Sequence, residues 1–454
     1  MFGSTGLLGS TGLLTAAALV SCAGPGAPAA GPAGAERPPY RGSVTSRAIY
    51  RSGGSDEDVD FWAYVTADIG DPDGGLALAT KREQGWSARF AGRVHADLDG
   101  DAGDAFDGLD DAGRSSVVGR VYDAWADYTP KDSALDHVRL GRQSDGDTPV
   151  FLVYDGISAA SKPIGDAALT VGAYGGASVH QYESSNDGDV LYGLWAKCEP
   201  WSDGKVRLDW VHAEDERAIG AFDDELLGVS IRQRLGRDWR ANAAWTALGG
   251  DSRDVDLDAT WTSRDGRQLV RATYYQLFET QSANPLEFDS FSQTLFDWYP
   301  FRRGGLLGWT QLGKDWRLEA GYDLRDVDDN ADEGRFNRDV RRAHVTASWQ
   351  DGLAEGSNLS LTADDWQSDS RDVTSVGATL TQELDEASKA SLGTYYAAYE
   401  FDPMLLLERE DVRTYFASFQ HDYSKDLRLD TSYSFQDTEF EQFHTLKVSL
   451  RWQF

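Results

Sequence analysis

Charged side chains recur along this chain at a spacing of two, each pair straddling an apolar residue. Arg207 and Asp209 flank Leu208, Arg317 and Glu319 flank Leu318, and Arg428 and Asp430 flank Leu429. In an extended strand that spacing puts both charges on one face and the apolar residue on the other. Followed along the chain, the charged face collects Arg89, Arg93, Arg139, Arg207, Arg232, Arg240, Arg271, Arg317, Arg342, Arg428, Lys447 and Arg451, with the acids Asp97, Asp209, Asp256, Asp258, Glu319, Asp323 and Asp430. Two readings fit such a face. It is either a field that selects solutes by sign and size, as rings of side chains do in channels, or a network of ion pairs that solvates and stiffens a wall.

Other chemistry is sparse. Among the seven histidines, His212 with Asp209 and Asp215 is the one arrangement that suggests a general base with a carboxylate partner. No serine or cysteine nucleophile motif accompanies it, so the expectation is a non-enzyme. Cys22 and Cys198 form no CxxC or CxxCH motif, which leaves zinc, iron–sulfur and covalent haem without a ligand set and implies no cofactor. Asp97, Asp99 and Asp101 open like a calcium loop, but Ala102 stands where glycine is required and Gly108 where glutamate is. The run Asp97 to Asp111 therefore reads as a solvated loop without a formal metal site. A net charge of −32 argues against nucleic acid as a partner.

The elements that must carry these charges are legible at the C-terminus. From Phe443 to Phe454, Leu446, Val448, Leu450, Trp452 and Phe454 alternate with Thr445, Lys447, Ser449, Arg451 and Gln453. Upstream, Trp86, Ala88, Phe90, Gly92 and Val94 alternate with Ser87, Arg89, Ala91, Arg93 and His95, and Trp316, Leu318, Ala320, Tyr322 and Leu324 with Arg317, Glu319, Gly321 and Asp323. This period of two continues from about residue 43 with turn residues between segments, and predicts an all-β chain. Mean hydropathy is −0.49, and past the leader no stretch approaches the roughly 18 apolar residues of a spanning helix. Counting segments back from Phe454 predicts about 20 to 22 strands, with 16 or 18 if several short ones are loop.

Residues 6 to 20 have the length of a signal h-region. Residues 1–35 are thus expected to be a leader, with two competing processing sites: a lipobox-like Leu19-Val20-Ser21-Cys22, which would lipidate Cys22, and ordinary cleavage after Ala35. Residues 36–454 form the remaining domain.

Connections sort by length. Gly236-Arg237, Gly313-Lys314 and Ser424-Lys425 are short, while Val211 to Asp223, Thr280 to Gly304 and Arg325 to Asp339 are long, and the two kinds largely alternate. Trp86, Trp239, Trp261, Trp316, Trp349 and Trp452 fall within a few residues of connections on the side where the short ones lie, as an interfacial girdle would. In the segment 280–304, Leu286, Phe288, Phe291, Phe296, Trp298, Tyr299 and Phe301 would be costly if exposed together. That loop is expected either to enter a pore as a constriction or to pack as an external cap.

Alternating strands, sorted connections and the terminal Phe454 resemble the Gram-negative outer-membrane porin superfamily. The segment Ala124 to Gln143 also resembles a strand–turn–strand ending in LGRQ found in several porin-like families, its glycine relieving crowding in the wall. The resemblance implies an antiparallel transmembrane β-barrel in the outer membrane, with lipid around it and the barrel-assembly machinery as a partner that reads Phe454. It implies a channel for passive diffusion of small hydrophilic solutes. A sleeve housing or docking a partner protein, such as a redox or export component, is the alternative. A surface adhesin or barrel enzyme is a minor one, and a homo-oligomer is compatible with each.

Overall fold

The computed structural model describes residues 40–54, 56–70, 85–98, 117–145, 152–179, 190–217, 220–280, 299–329, 339–368, 371–402, 407–438 and 441–454. The leader with Cys22, the loop 99–116, and Phe288, Phe291, Phe296 and Trp298 lie outside them.

Among the described residues, twenty-two strands follow one another in order. They are β1 (Tyr40–Gly53), β2 (Asp56–Ile69), β3 (Gly85–Asp97), β4 (Val117–Thr129), β5 (Leu135–Asp145), β6 (Leu152–Ser161), β7 (Thr170–Ser178), β8 (Val190–Cys198), β9 (Gly204–Arg217), β10 (Gly220–Leu235) and β11 (Trp239–Leu248). The second half comprises β12 (Asp251–Thr262), β13 (Gln268–Leu277), β14 (Phe301–Leu312), β15 (Trp316–Val327), β16 (Val340–Gln350), β17 (Ser357–Ser368), β18 (Arg371–Glu383), β19 (Ser388–Asp402), β20 (Leu407–Ser424), β21 (Leu427–Asp437) and β22 (Gln442–Gln453). All belong to one antiparallel sheet, and β22 pairs with β1, so the sheet closes on itself as a barrel. Phe454 completes the seam: its carbonyl accepts from the Gly42 N–H at 2.8 Å and its own N–H donates to the Gly42 carbonyl at 3.0 Å. Two compact units divide the strands: β1, β2 and β19–β22 fall in one, β5–β18 essentially in the other, and β3 and β4 contribute to both.

Within the larger unit, register places like with like. Trp239 faces Trp261, Ala241 faces Ala259 and Ala243 faces Leu257, while the alternate rungs pair Arg240 with Thr260 and Asn242 with Asp258. The exposed large residues lie on the apolar face, Leu140 at 63%, Leu194 at 55% and Leu306 at 55%. Buried groups are often ionic instead: Asp127 and Asp209 are 1% and 2% exposed, and Glu319 is 4%. A water-soluble fold buries aliphatic groups and exposes charge; over much of its length this wall reverses the order, as a barrel in lipid must. It keeps a buried apolar cluster of Leu152, Tyr154, Tyr174, Leu191, Val211 and Leu226. From Trp316 to Leu324 on β15 the apolar face covers about 27 Å of strand at about 3.4 Å per residue, or about 21 Å along the membrane normal at a tilt of about 40°.

The tryptophans mark one edge of that face. Trp86, Trp239 and Trp316 stand at the starts of odd-numbered strands, and Trp261, Trp349 and Trp452 at the ends of even-numbered ones, the edge at which Phe454 lies. Trp316 stacks on Trp349 with centroids 5.3 Å apart, and Trp86 lies 4.8 Å from Tyr128. Several of the described connections at this edge are tight turns, among them those at 236–238, 313–315 and 425–426. In the turn after β12, Asp265 accepts from the Ser263 hydroxyl at 2.6 Å and the Arg267 N–H at 3.2 Å. These bonds hold its carboxyl below the usual carboxylate range, the Ser263 bond foremost. The turn therefore keeps their contribution at neutral pH and loses it as pH falls through that lowered value.

Gly141 of the LGRQ segment has φ of +119°, and a Cβ there would lie 2.2 Å from the Ala124 carbonyl oxygen. Its cross-strand neighbours are Gly156 and, beyond it, Gly176, each with a backbone oxygen within 2.2 Å of where a Cβ would stand. Three strands thus approach closely enough to need glycine.

Parts of two expected loops are strand. β9 and β10 run on to Arg217 and from Gly220, pairing Glu214 with Asp223 where the sequence suggested a long loop over 211–223. β14 starts at Phe301, so 301–304 belong to the wall and Phe301 is buried on its inner face. Both segments keep ladder partners, and backbone pairing outlasts the side-chain alternation used to place the strand ends.

Replacing Leu194 by arginine, at mid-height on the apolar face, should destabilise the barrel by about 2–4 kcal/mol. Reversible unfolding from lipid vesicles measures it; an unchanged midpoint would mean that this face does not meet lipid.

Candidate functional site: the inward face of the wall

Each inward carboxylate is positioned by its rung. Asp127 on β4 stands opposite Arg139 on β5, bonded at 3.2 Å, and the guanidinium lies 3.8 Å over the Trp125 ring. Arg207 grips Asp209, two residues along the same strand, at 2.7 and 2.9 Å, and covers Trp195 at 5.0 Å. Arg317 reaches Glu319 at 3.0 Å and covers Trp309 at 4.3 Å. Arg342 on β16 holds Asp364 on β17 at 2.9 and 3.0 Å and covers Trp366 at 5.2 Å. Four times in this unit, then, one arginine joins an acid and an indole on the inward face. The acid accepts charge-assisted bonds and the ring faces the cation, so each guanidinium is fixed in direction.

In the smaller unit Arg51 bonds both Asp58 and Asp60, and His95 Nε2 lies 2.6 Å from Asp60, with all three acceptor and ring groups almost fully buried apart from the arginine. Arg93 and Arg47 lie over Trp62 at 5.7 and 5.9 Å.

Of the residues expected on this face, Arg139, Arg207, Asp209, Arg317, Glu319 and Arg342 enter the groupings above. Arg89 lies 3.5 Å from Asp123, and Arg271 bonds Asp258 at 2.5 Å. Asp256 lies on the same face, facing Ala244 and Tyr275 across the rungs. Arg428 pairs with Asp422 at 2.5 Å rather than with Asp430, which faces Ser449. Lys447 faces Ile49 and Arg451 faces Thr45 across the β22–β1 seam. Arg232 faces Lys205 and Asn242, and Arg240 faces Arg234 and Thr260. Tyr299 precedes β14 and is half-buried.

The general-base arrangement does not assemble. His212 and Asp209 are three residues apart on one strand and so point to opposite faces. His212 sits on the outward side against Tyr192, 4.7 Å between rings, with Nε2 3.5 Å from Glu214; the Asp215 side chain lies outside the described residues. Asp58, Asp60, Asp127, Asp364 and the inward tryptophans were not singled out from the sequence. Their signal was present in Asp58-x-Asp60-x-Trp62 and Trp125-x-Asp127, but an indole on the polar face looks like a break in the alternation until its arginine is known.

No protein family matches the sequence, and no curated protein matches it. Among solved structures, the fold is similar to the translocation pore of the P pilus usher PapC, with a TM-score of 0.53 and 10% identity over 91% of this chain and 99% of that one. Pseudomonas aeruginosa OpdK, solved with vanillate, matches with a TM-score of 0.44 and 9% identity over 91% and 98%. The glucuronate complex of Pseudomonas aeruginosa OccK2 matches at 0.44 and 10% over 91% and 97%.

Truncating Asp209 to alanine should cost about 3–5 kcal/mol, because Arg207 keeps its charge in a half-enclosed site without the carboxylate that balances it. Thermal unfolding of the detergent-held protein gives the value, and a loss within about 0.5 kcal/mol would show the pair to be ornamental. A closed antiparallel ring, an apolar outer face and a tryptophan edge together give this chain the fold of a 22-stranded antiparallel β-barrel of the kind that suits a lipid bilayer.

Proposed function

We propose that the barrel is a channel through which small hydrophilic solutes diffuse passively, selected by size and charge. The observation that carries this reading is the inward face itself, lined by arginine–carboxylate pairs whose guanidinium groups are held by indoles. Fixed charges beside a low-dielectric wall focus the field on passing ions, and a charged interior keeps water in the conduit. Lipid surrounds the barrel, and Phe454 serves as the mark for the assembly machinery. Catalysis has no part in this reading, since the one histidine arrangement proposed for it is divided between two faces.

A second reading is a sleeve for a partner protein. Barrels of about 22 strands carry a filled lumen, and the likeness to an usher translocation pore supports a fold able to surround another chain.

Planar-bilayer recording of the purified protein distinguishes the two. Stable open current with a preference for one ion sign is the expected result. A bilayer that stays silent until an envelope protein is added, or copurification of such a protein in fixed proportion, would replace the channel by the sleeve.

A further inference from the structure

The inward cations are not evenly balanced. Most described arginines on this face have an acid within bonding distance, but β8–β11 carry three rungs on which two cations stand directly opposite each other: Lys197 with Arg207, Lys205 with Arg232, and Arg234 with Arg240. The rungs are adjacent and step toward the tryptophan edge. Like charges across a rung destabilise a sheet, and such pairs stand out in a chain whose net charge is −32.

Local acids offset only part of the charge. Arg207 is taken by Asp209 at 2.7 Å and Lys205 by Glu199 at 3.0 Å. Arg232, Arg234 and Arg240 have no carboxylate partner among the described residues, and all three side chains are exposed. Beside them stand Asn242 and Thr260, which donate to Asp258 on β12 at 3.4 and 3.5 Å, and that carboxylate is itself taken by Arg271 at 2.5 Å. Register thus puts three guanidinium groups at neighbouring inward positions, the donor type that suits a bidentate oxyanion.

We infer that Arg232, Arg234 and Arg240, with Lys205 beside them, form a binding station for a small oxyanion, a carboxylate- or phosphate-bearing solute, on the inward face of β9–β11. This rests on the channel reading for the route by which the solute arrives. A bound oxyanion relieves the repulsion of the facing cations, so occupancy stabilises the wall by mass action. Because the sites are accessible to water, the attraction weakens as salt rises.

The test uses the full-length protein and the variant Arg232→Gln/Arg234→Gln/Arg240→Gln, with Arg264→Gln, an exposed turn residue, as a charge-matched control for one position. Thermal unfolding in detergent is followed against inorganic phosphate and against succinate at constant ionic strength. Either anion should raise the Tm of the wild type and the control but not of the triple variant, and the anion that does so identifies the solute class. In bilayers, the anion-to-cation permeability ratio of the triple variant should fall by on the order of threefold or more, within the range such fields produce. If the triple variant fails to fold, Arg234→Gln alone carries the same comparison. No Tm response to either anion, or an equal response in wild type and variant, overturns the station even if the protein conducts. A Tm response without any current removes the channel and leaves the station standing.

Discussion

Backbone polarity is the constraint on which the structure depends. In hydrocarbon there is no water to pair a free N–H or C=O, so a sheet that crosses lipid cannot keep an edge. Here the requirement is met at β1 and β22, joined rung by rung from Ser43 with Gln453 to Gly53 with Phe443, and finished by the Gly42–Phe454 bonds. Once closed, the wall is one strand thick. Each strand has to present one face to lipid and the other to the interior, and the alternation of side chains follows.

A single-layer wall also changes what stabilises side chains. Among the described residues there is no second sheet to pack the inner face, so its groups must satisfy one another along and across rungs. The recurring solution pairs an arginine with an acid and lays the guanidinium over an indole: Arg139 with Asp127 and Trp125, Arg342 with Asp364 and Trp366. Arginine suits this role better than lysine because its planar fork bonds a carboxylate while its face stacks on a ring. The same rungs that assemble these groups bring Arg234 against Arg240, where no acid follows among the described residues. Register, then, both balances charge and leaves it unbalanced.

Much of this was legible before any coordinates. Alternation at Trp316 to Leu324 and Leu446 to Phe454 located strands and told their faces apart, because period two is a property of the backbone alone. Strand ends were less legible. The hairpin of β9 and β10 extends through Glu214 and Asp223, and β14 begins at Phe301, in segments too polar or too uniformly aromatic to alternate. The inward tryptophans were hidden for a related reason, since their burden of apolar surface is accepted only when a guanidinium covers it.

The amino-acid order by itself determined an all-β chain of about 20 to 22 short strands, with apolar residues on one face and charges on the other, since these follow from neighbours two residues apart. Only the tertiary structure decided that the sheet closes through β1 and β22, and which arginine meets which acid across strands, as Arg139 meets Asp127 and Arg342 meets Asp364. Those outcomes depend on register between strands distant in sequence, and a shift of one residue would have turned every side chain to the opposite face.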